Sequence, residues 1–356
     1  MAITSKNMHT EQLKTAMDTS VSHKNSSIET LRALAVVLVF LHHLHSGANI
    51  TLPYIAHAGG WLGVQIFFVI SGYLIILSAV RYSFKEYAIH RLARIYPAYL
   101  FWFFVFSIIT KQLTWQSLDL EALSVHLLFL QHFFPLHYYK YNALFVSWTL
   151  TIELIWYIVA FACATQFKKS PIKITLIFMG ISYLWIFWGA VYFPHYKEMD
   201  SNVKHFFVDN NFFNQLPFFF FGALIAIKNP KFDKAGLATM FLLTVVLSSS
   251  WKSHFPDPIF ITGFGVASLF LMLKDMDCEN PKIVRFISEV SYSFYLVHYP
   301  VIVLITKITG NKLSIVFFSI TVTLLISYLS HRFIEQPFIN LSKRKIKELM
   351  PKAQIN

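Results

Sequence analysis

The sequence predicts an all-α polytopic membrane protein of about ten transmembrane helices with both termini in the cytoplasm, and three observations predict it. The first is composition: 56% of the 356 residues are hydrophobic and only 13% are charged, against about 25% charged in an ordinary soluble domain. The second is spacing, because apolar runs long enough to cross a bilayer, or nearly so, recur along almost the whole chain after residue 30. The third is where Lys and Arg fall once those runs are threaded through a membrane.

Taken in order, residues 1–27 (MAITSKNMHTEQLKTAMDTSVSHKNSS) are polar and contain no apolar core of signal-peptide type, so they read as a flexible cytoplasmic tail. Spans follow at roughly 31–50, 61–80, 95–110, 147–166, 172–193, 212–227, 236–250, 258–273, 286–306 and 313–332. The segment 119–134 (DLEALSVHLLFLQHFF) is short, opens with acidic residues and carries two histidines, which suits a re-entrant or interfacial piece. Charge supports leaving it out of the count. With ten spans and the N-terminus inside, 23 of the 30 Lys and Arg residues lie on the inner side and seven outside; an eleventh span would carry Lys168 and Lys169 outward. Residues 28–340 then form one transmembrane domain and 341–356 a basic cytoplasmic tail.

The formal charge of +12 follows from this inner bias and calls for no nucleic acid. The two cysteines, Cys163 in an apolar run and Cys278 in a loop, give no disulfide framework and no thiolate metal site. No metal cofactor is expected. Neither a Gly- or Pro-rich linker nor a repeat period interrupts the pattern.

Against this apolar background, polar residues at membrane depth stand out. In the first span, ETLRALAVVLVFLHHLH, an ionisable side chain near mid-bilayer costs about 2.5–3.5 kcal/mol on insertion scales, more than anchoring would justify. Arg32 and His43 are eleven residues apart; eleven steps of about 100° bring them onto one helix face, about 16.5 Å apart. His42 and His45 point elsewhere and read as packing or rim residues. In SWTLTIELIWY the chain enters from outside at Ser147, which puts Glu153 about 9 Å down; in FISEVSYSFYLVHYP it enters from inside, with His298 about 18 Å above Phe286. A carboxylate and two imidazoles could meet in one layer, and a histidine oriented by a carboxylate has the form of a general base. His298 by itself could equally be an interhelical hydrogen-bonding group.

Nearer the inner surface, HRLARIYPAY carries Arg91 and Arg94 at i and i+3 on one face. Guanidinium forks match phosphate, while an arbitrary pair at this position would be a positive-inside anchor. In GGWLGVQIFFVISGYLI, Gly59, Gly60 and Ser71-Gly72 allow close helix packing, or a narrow slot for a ligand chain. Trp148 is an interfacial anchor or an indole for stacking on a sugar. In HRFIEQPF, Pro337 would end the last span and Glu335 could pair with the inner arginines.

These stretches together resemble the acyltransferase-3 family of integral-membrane O-acyltransferases. The resemblance rests on Arg-x10-His in the first span (Arg32, His43), FFVISGYLI, the Arg-x2-Arg of RLARIYP, SWTLTIE with Trp148 and Glu153, SYSFYLVHYP, and the terminal RFIEQPF. It runs over about residues 28–340 in family order. It implies a ten-span fold that moves an acyl group, usually acetyl, from cytoplasmic acyl-coenzyme A to a hydroxyl on a carbohydrate at the outer face. It also implies a multi-pass protein of a bacterial inner membrane. With no C-terminal SGNH-type domain before Asn356, the chain resembles the stand-alone members, and any second transfer step would need a partner protein.

On this reading His43 is the catalytic base and Glu153 orients or charges it. Arg32, Arg91 and Arg94 hold the coenzyme A phosphates, and Trp148, His298 and Ser71 are candidates for substrate binding. Direct transfer and a transient acyl-histidine both remain open. The rival from another class is a transporter or flippase for a glycan, lipid or small solute that uses the buried His and Glu as a proton relay.

Overall fold

The computed structural model describes residues 26–50, 59–192, 207–208, 210–250, 258–274 and 279–349. The proposed tail at 1–25, Cys278 and the end of the chain from residue 350 lie outside them. Every regular element among the described residues is helical. They are α1 (Ser26–Ala48), α2 (Gly59–Arg81), α3 (Phe84–Ile109), the short α4 (Leu120–Leu127) and α5 (Pro135–Tyr138), α6 (Trp148–Lys169), α7 (Pro171–Tyr192), α8 (Phe212–Lys228), α9 (Lys234–Ser250), α10 (Pro258–Lys274), α11 (Lys282–Ile308), α12 (Lys312–Ser330) and α13 (Gln336–Leu349). Each predicted span coincides with one of these helices. Among the described residues, seven helical units are long and apolar enough to cross a membrane: α1, α2, α3, α6, α7, α11 and the continuous α12–α13. The helices α8, α9 and α10 are apolar but shorter.

Local chemistry sets several boundaries. Ser83 and Glu86 close a capping box at the start of α3, with the Ser83 N–H and hydroxyl both donating to Glu86 Oε2 (2.9 and 2.8 Å). Asn211 caps α8 by accepting from the Phe213 N–H, and Asn311 caps α12 through Ser314 N–H. The centre of the bundle is α2, which packs against α1, α8 and α6, while α1 packs on α11. Glycine makes the α2–α8 contact possible: a Cβ on Gly72 would stand 2.0 Å from the Phe219 carbonyl, and one on Gly222 would stand 2.0 Å from the Val69 carbonyl. Gly72 therefore serves packing, while its neighbour Ser71 faces the cavity described below.

The segment 119–134 is too short to span. Its helix α4 has eight residues, capped by Asp119, and is followed by turns. Together with α5 it folds over one end of the bundle, holding His126 against the Tyr138 carbonyl (3.0 Å). Burial lowers the pKa of His126 to about 4, so it is a neutral packing histidine at pH 7.

One expectation for the C-terminal end is corrected. Pro337 does not end the helix: residues His331–Glu335 form a π turn and the chain continues as α13. Proline lacks an N–H and crowds the carbonyl four residues earlier, so a wider ladder at this point absorbs the misfit. The stretch 341–349, expected as part of a basic cytoplasmic tail, lies in α13, which is amphipathic and packs on α3, with Ser342 and Ile346 buried.

Candidate active site

Two helices bring the three predicted arginines to one place. The capped start of α3 extends its helix well before residue 95, so Arg91 and Arg94 project from helix and face Arg32 of α1 across a cavity of about 110 Å³. The same cavity is lined by Ser71 of α2, by Thr149, Glu153 and Tyr157 of α6, and by Ser291, Tyr292 and Tyr295 of α11. Arg91 is steered by aromatic faces, its guanidinium lying 5.6 Å from the Tyr87 ring centre and 5.7 Å from that of Tyr157. Tyr87 in turn donates to the Tyr157 carbonyl (2.9 Å). None of the three guanidiniums has a hydrogen bond or ion pair among the described residues, and the Nε atoms of Arg32 and Arg91 are fully buried without a partner. Buried donors are nearly always satisfied, so two buried, unpartnered Nε atoms beside a third arginine have the chemistry to take up an anion.

Glu153 belongs to this cavity and not to His43. Its Oε1 accepts from Tyr157 O–H (2.7 Å) and from Ser71 Oγ–H (3.2 Å). The expected His43–Glu153 pairing is therefore not made. The depth argument fails because α6 does not start at a membrane surface. Ser147, Trp148, Thr149, Leu150, Thr151 and Ile152 are all buried, so the helix begins beneath the cap formed by the preceding loop and Glu153 lies deeper than a surface start would place it. Trp148 is corrected for the same reason: it is only 8% exposed, its ring meets His132 edge-on, and its carbonyl accepts from His132 Nε2–H (3.2 Å). No open indole face is offered to a sugar. Glu335 is likewise held elsewhere, accepting from Ser293 and lying 3.4 Å from His331 Nδ1.

His43 is buried and meets His298, with Nδ1 of His43 and Nε2 of His298 2.7 Å apart. Around the pair stand Phe145 and Tyr299, both edge-on to the His43 ring and stacked on each other with centres 4.3 Å apart. Phe145 has φ of 61°, a costly conformation for a bulky residue. Tyr138 of the cap holds it there by donating to its carbonyl (2.6 Å). His42 packs its ring against that of His43 and lines no part of the arginine cavity.

The two places are adjacent. The cavity runs along α11 to Tyr295, one turn before His298, where the Tyr295 hydroxyl is hydrogen-bonded to Thr149 Oγ1 (2.9 Å). Sequence reasoning missed Tyr157, Tyr292, Tyr295 and Thr149. Tyr157 was accessible to it, being one helical turn from Glu153 on the same face; Tyr292 and Tyr295 sit inside SYSFYLVHYP with nothing in their spacing to separate cavity from core.

Comparison with known proteins agrees in kind. A family model described as an acyltransferase domain matches residues 25–332. The chain is 27% identical to a peptidoglycan O-acetyltransferase of Listeria monocytogenes, over 89% of this chain and 57% of that protein. It is 25% identical to an O-acetyl transferase of Shigella phage Sf6, over 91% of this chain and 99% of that protein. The chain thus spans little more than half the length of the first of these relatives. No solved structure matches it.

Proposed function

The chain belongs to the acyltransferase family whose model covers residues 25–332, and from that premise we propose that it is a ten-span membrane O-acyltransferase. The group moved is acetyl, as in the relatives' names, its donor is cytoplasmic acyl-coenzyme A, and its acceptor is a hydroxyl on an extracytoplasmic glycan. The observation that carries this reading is the cavity with three arginines, one carboxylate and no hydrogen-bond partner for the guanidiniums among the described residues. A donor with several phosphates supplies the missing acceptors, and bidentate arginine contacts suit phosphate geometry.

With Arg32, Arg91 and Arg94 holding the phosphates at the cytoplasmic side, the pantetheine arm runs along the cavity toward Tyr295 and presents the thioester near His43. The acceptor oxygen forms a bond to the thioester carbonyl carbon while its proton passes to His43. The carbon–sulfur bond then breaks, and the departing thiolate takes the proton back, giving an ester and free coenzyme A. In this scheme Glu153 offsets part of the arginine charge and holds Ser71 and Tyr157 on the cavity wall. The Lys and Arg bias supports both termini inside, and a bacterial inner membrane is what the family resemblance implies.

The test is twofold. Purified protein in lipid nanodiscs should bind acetyl-coenzyme A, and glycans from cells carrying the protein should be heavier by one acyl group than those from cells without it. Absence of donor binding would remove the reading; an identical glycan mass spectrum would remove the glycan acceptor.

A further inference from the structure

Hydrogen-bond chemistry fixes more about the histidine pair than its proximity. His298 Nδ1 lies 2.7 Å from the Tyr295 carbonyl oxygen and 3.2 Å from that of Phe294. A carbonyl can only accept, so His298 Nδ1 must carry its hydrogen. In the neutral ring the other nitrogen, Nε2, is then a lone-pair acceptor. That acceptor faces His43 Nδ1 at 2.7 Å, so His43 must carry its hydrogen on Nδ1 and keep Nε2 as a lone pair. His43 Nε2 has no hydrogen bond among the described residues.

We propose that His298 is a positioning residue that, anchored to the backbone of α11, selects the Nδ1–H tautomer of His43 and so leaves His43 Nε2 as the basic atom. An imidazole without such a partner prefers its hydrogen on Nε2, which would block the base. This deepens the transferase reading and rests on it for its catalytic consequence, but the tautomer assignment stands on geometry alone.

The design differs from a histidine–carboxylate pair. His298 is neutral, so it orients the base without a negative charge to raise its basicity. When His43 Nε2 takes the acceptor proton, the resulting imidazolium donates from Nδ1 to His298 Nε2, and the charge is shared along a chain that ends on the Tyr295 carbonyl. No alkoxide forms in advance: proton removal and attack on the thioester proceed together. Both rings are locked, His298 by a parallel stack on Phe294 and His43 by Phe145 and Tyr299.

Nitrogen-15 NMR of the full chain in nanodiscs, labelled at histidine and assigned by difference against His43→Gln, reads the tautomer directly. The wild type should show His43 as Nδ1–H. His298→Leu should convert it to Nε2–H and lower kcat by about 10²-fold or more, with KM for acetyl-coenzyme A within about two-fold, since the arginine cavity is untouched. His298→Gln, which can present an amide oxygen to His43, should restore the Nδ1–H signal and most of kcat. A wild-type His43 in the Nε2–H form would overturn the proposal, and so would a His298→Leu protein that turns over normally. Should His298→Leu not fold, the wild-type tautomer and His298→Gln still decide. Nδ1–H in the wild type with no acyl transfer at all would sink the transferase reading and leave the pairing intact.

Discussion

Two polar regions hang on one face of α1, three turns apart, and they are built on opposite plans. Around Arg32 the protein gathers three guanidiniums that have no hydrogen-bond partner among the described residues. Around His43 the donor–acceptor chain from imidazole to imidazole to backbone carbonyl is closed, apart from one nitrogen. Unpaired buried donors are expensive, so the first plan makes sense where a charged ligand must arrive and leave. A closed chain fixes one atom in one protonation state, which is what a base needs. On the proposed reading, the open donors belong to the binding region and the closed relay to the reacting one.

Substitutions can break this division, beginning with the largest expected effect. His43→Ala should lower acyl transfer by about 10²–10⁴-fold while leaving acetyl-coenzyme A affinity within about two-fold. Turnover assays and calorimetry on the same membrane-inserted sample separate the two, and wild-type turnover would strip the pair of any catalytic part. Arg91→Ala and Arg94→Ala should do the reverse. Each removes a charge-assisted contact and should weaken donor binding about ten- to a hundred-fold, with a smaller effect on kcat at saturation. Unchanged affinity in both would mean that the cavity is not the phosphate site.

Glu153→Gln sharpens the comparison with the smallest effect. The amide oxygen can still accept from Tyr157 and Ser71, so the wall stays in place, but the cavity gains net positive charge. KM for the anionic donor should fall a few-fold and the pH dependence of kcat should not move. A shifted pH profile would return Glu153 to the base and contradict the geometry, in which its hydrogen bonds among the described residues lie within the arginine cavity.

How far the sequence could see is clearest at these same residues. Arg32 and His43 were linked by helical phase, and Arg91 with Arg94 by an i, i+3 step, because both relations are properties of a single helix. The assignment of 119–134 as non-spanning came from length and charge, and α4 bears out its shortness. Glu153 was misjudged because its depth was measured from a surface that α6 never reaches. Its helix starts under a loop cap held by Tyr138, His126 and His132, which meet residues 7, 12 and 16 positions further along the chain, contacts between turns that no helical period announces. The continuation of α13 past Pro337 was hidden too, since a π turn is a response to packing as much as to composition.

The sequence by itself determined a helical membrane protein, its charge bias and the polar residues on each helix face, because hydrophobic periodicity and helix geometry are local. Which of those faces meet was decided only by the tertiary structure. The pairing of His43 with His298, 255 residues apart, and the transfer of Glu153 to the arginines depend on how deep each helix is seated. Those meetings belong to tertiary packing, which also shows in the close approach of Gly72 to Phe219 and in the cap over α6, and none of it leaves a periodic trace in the chain.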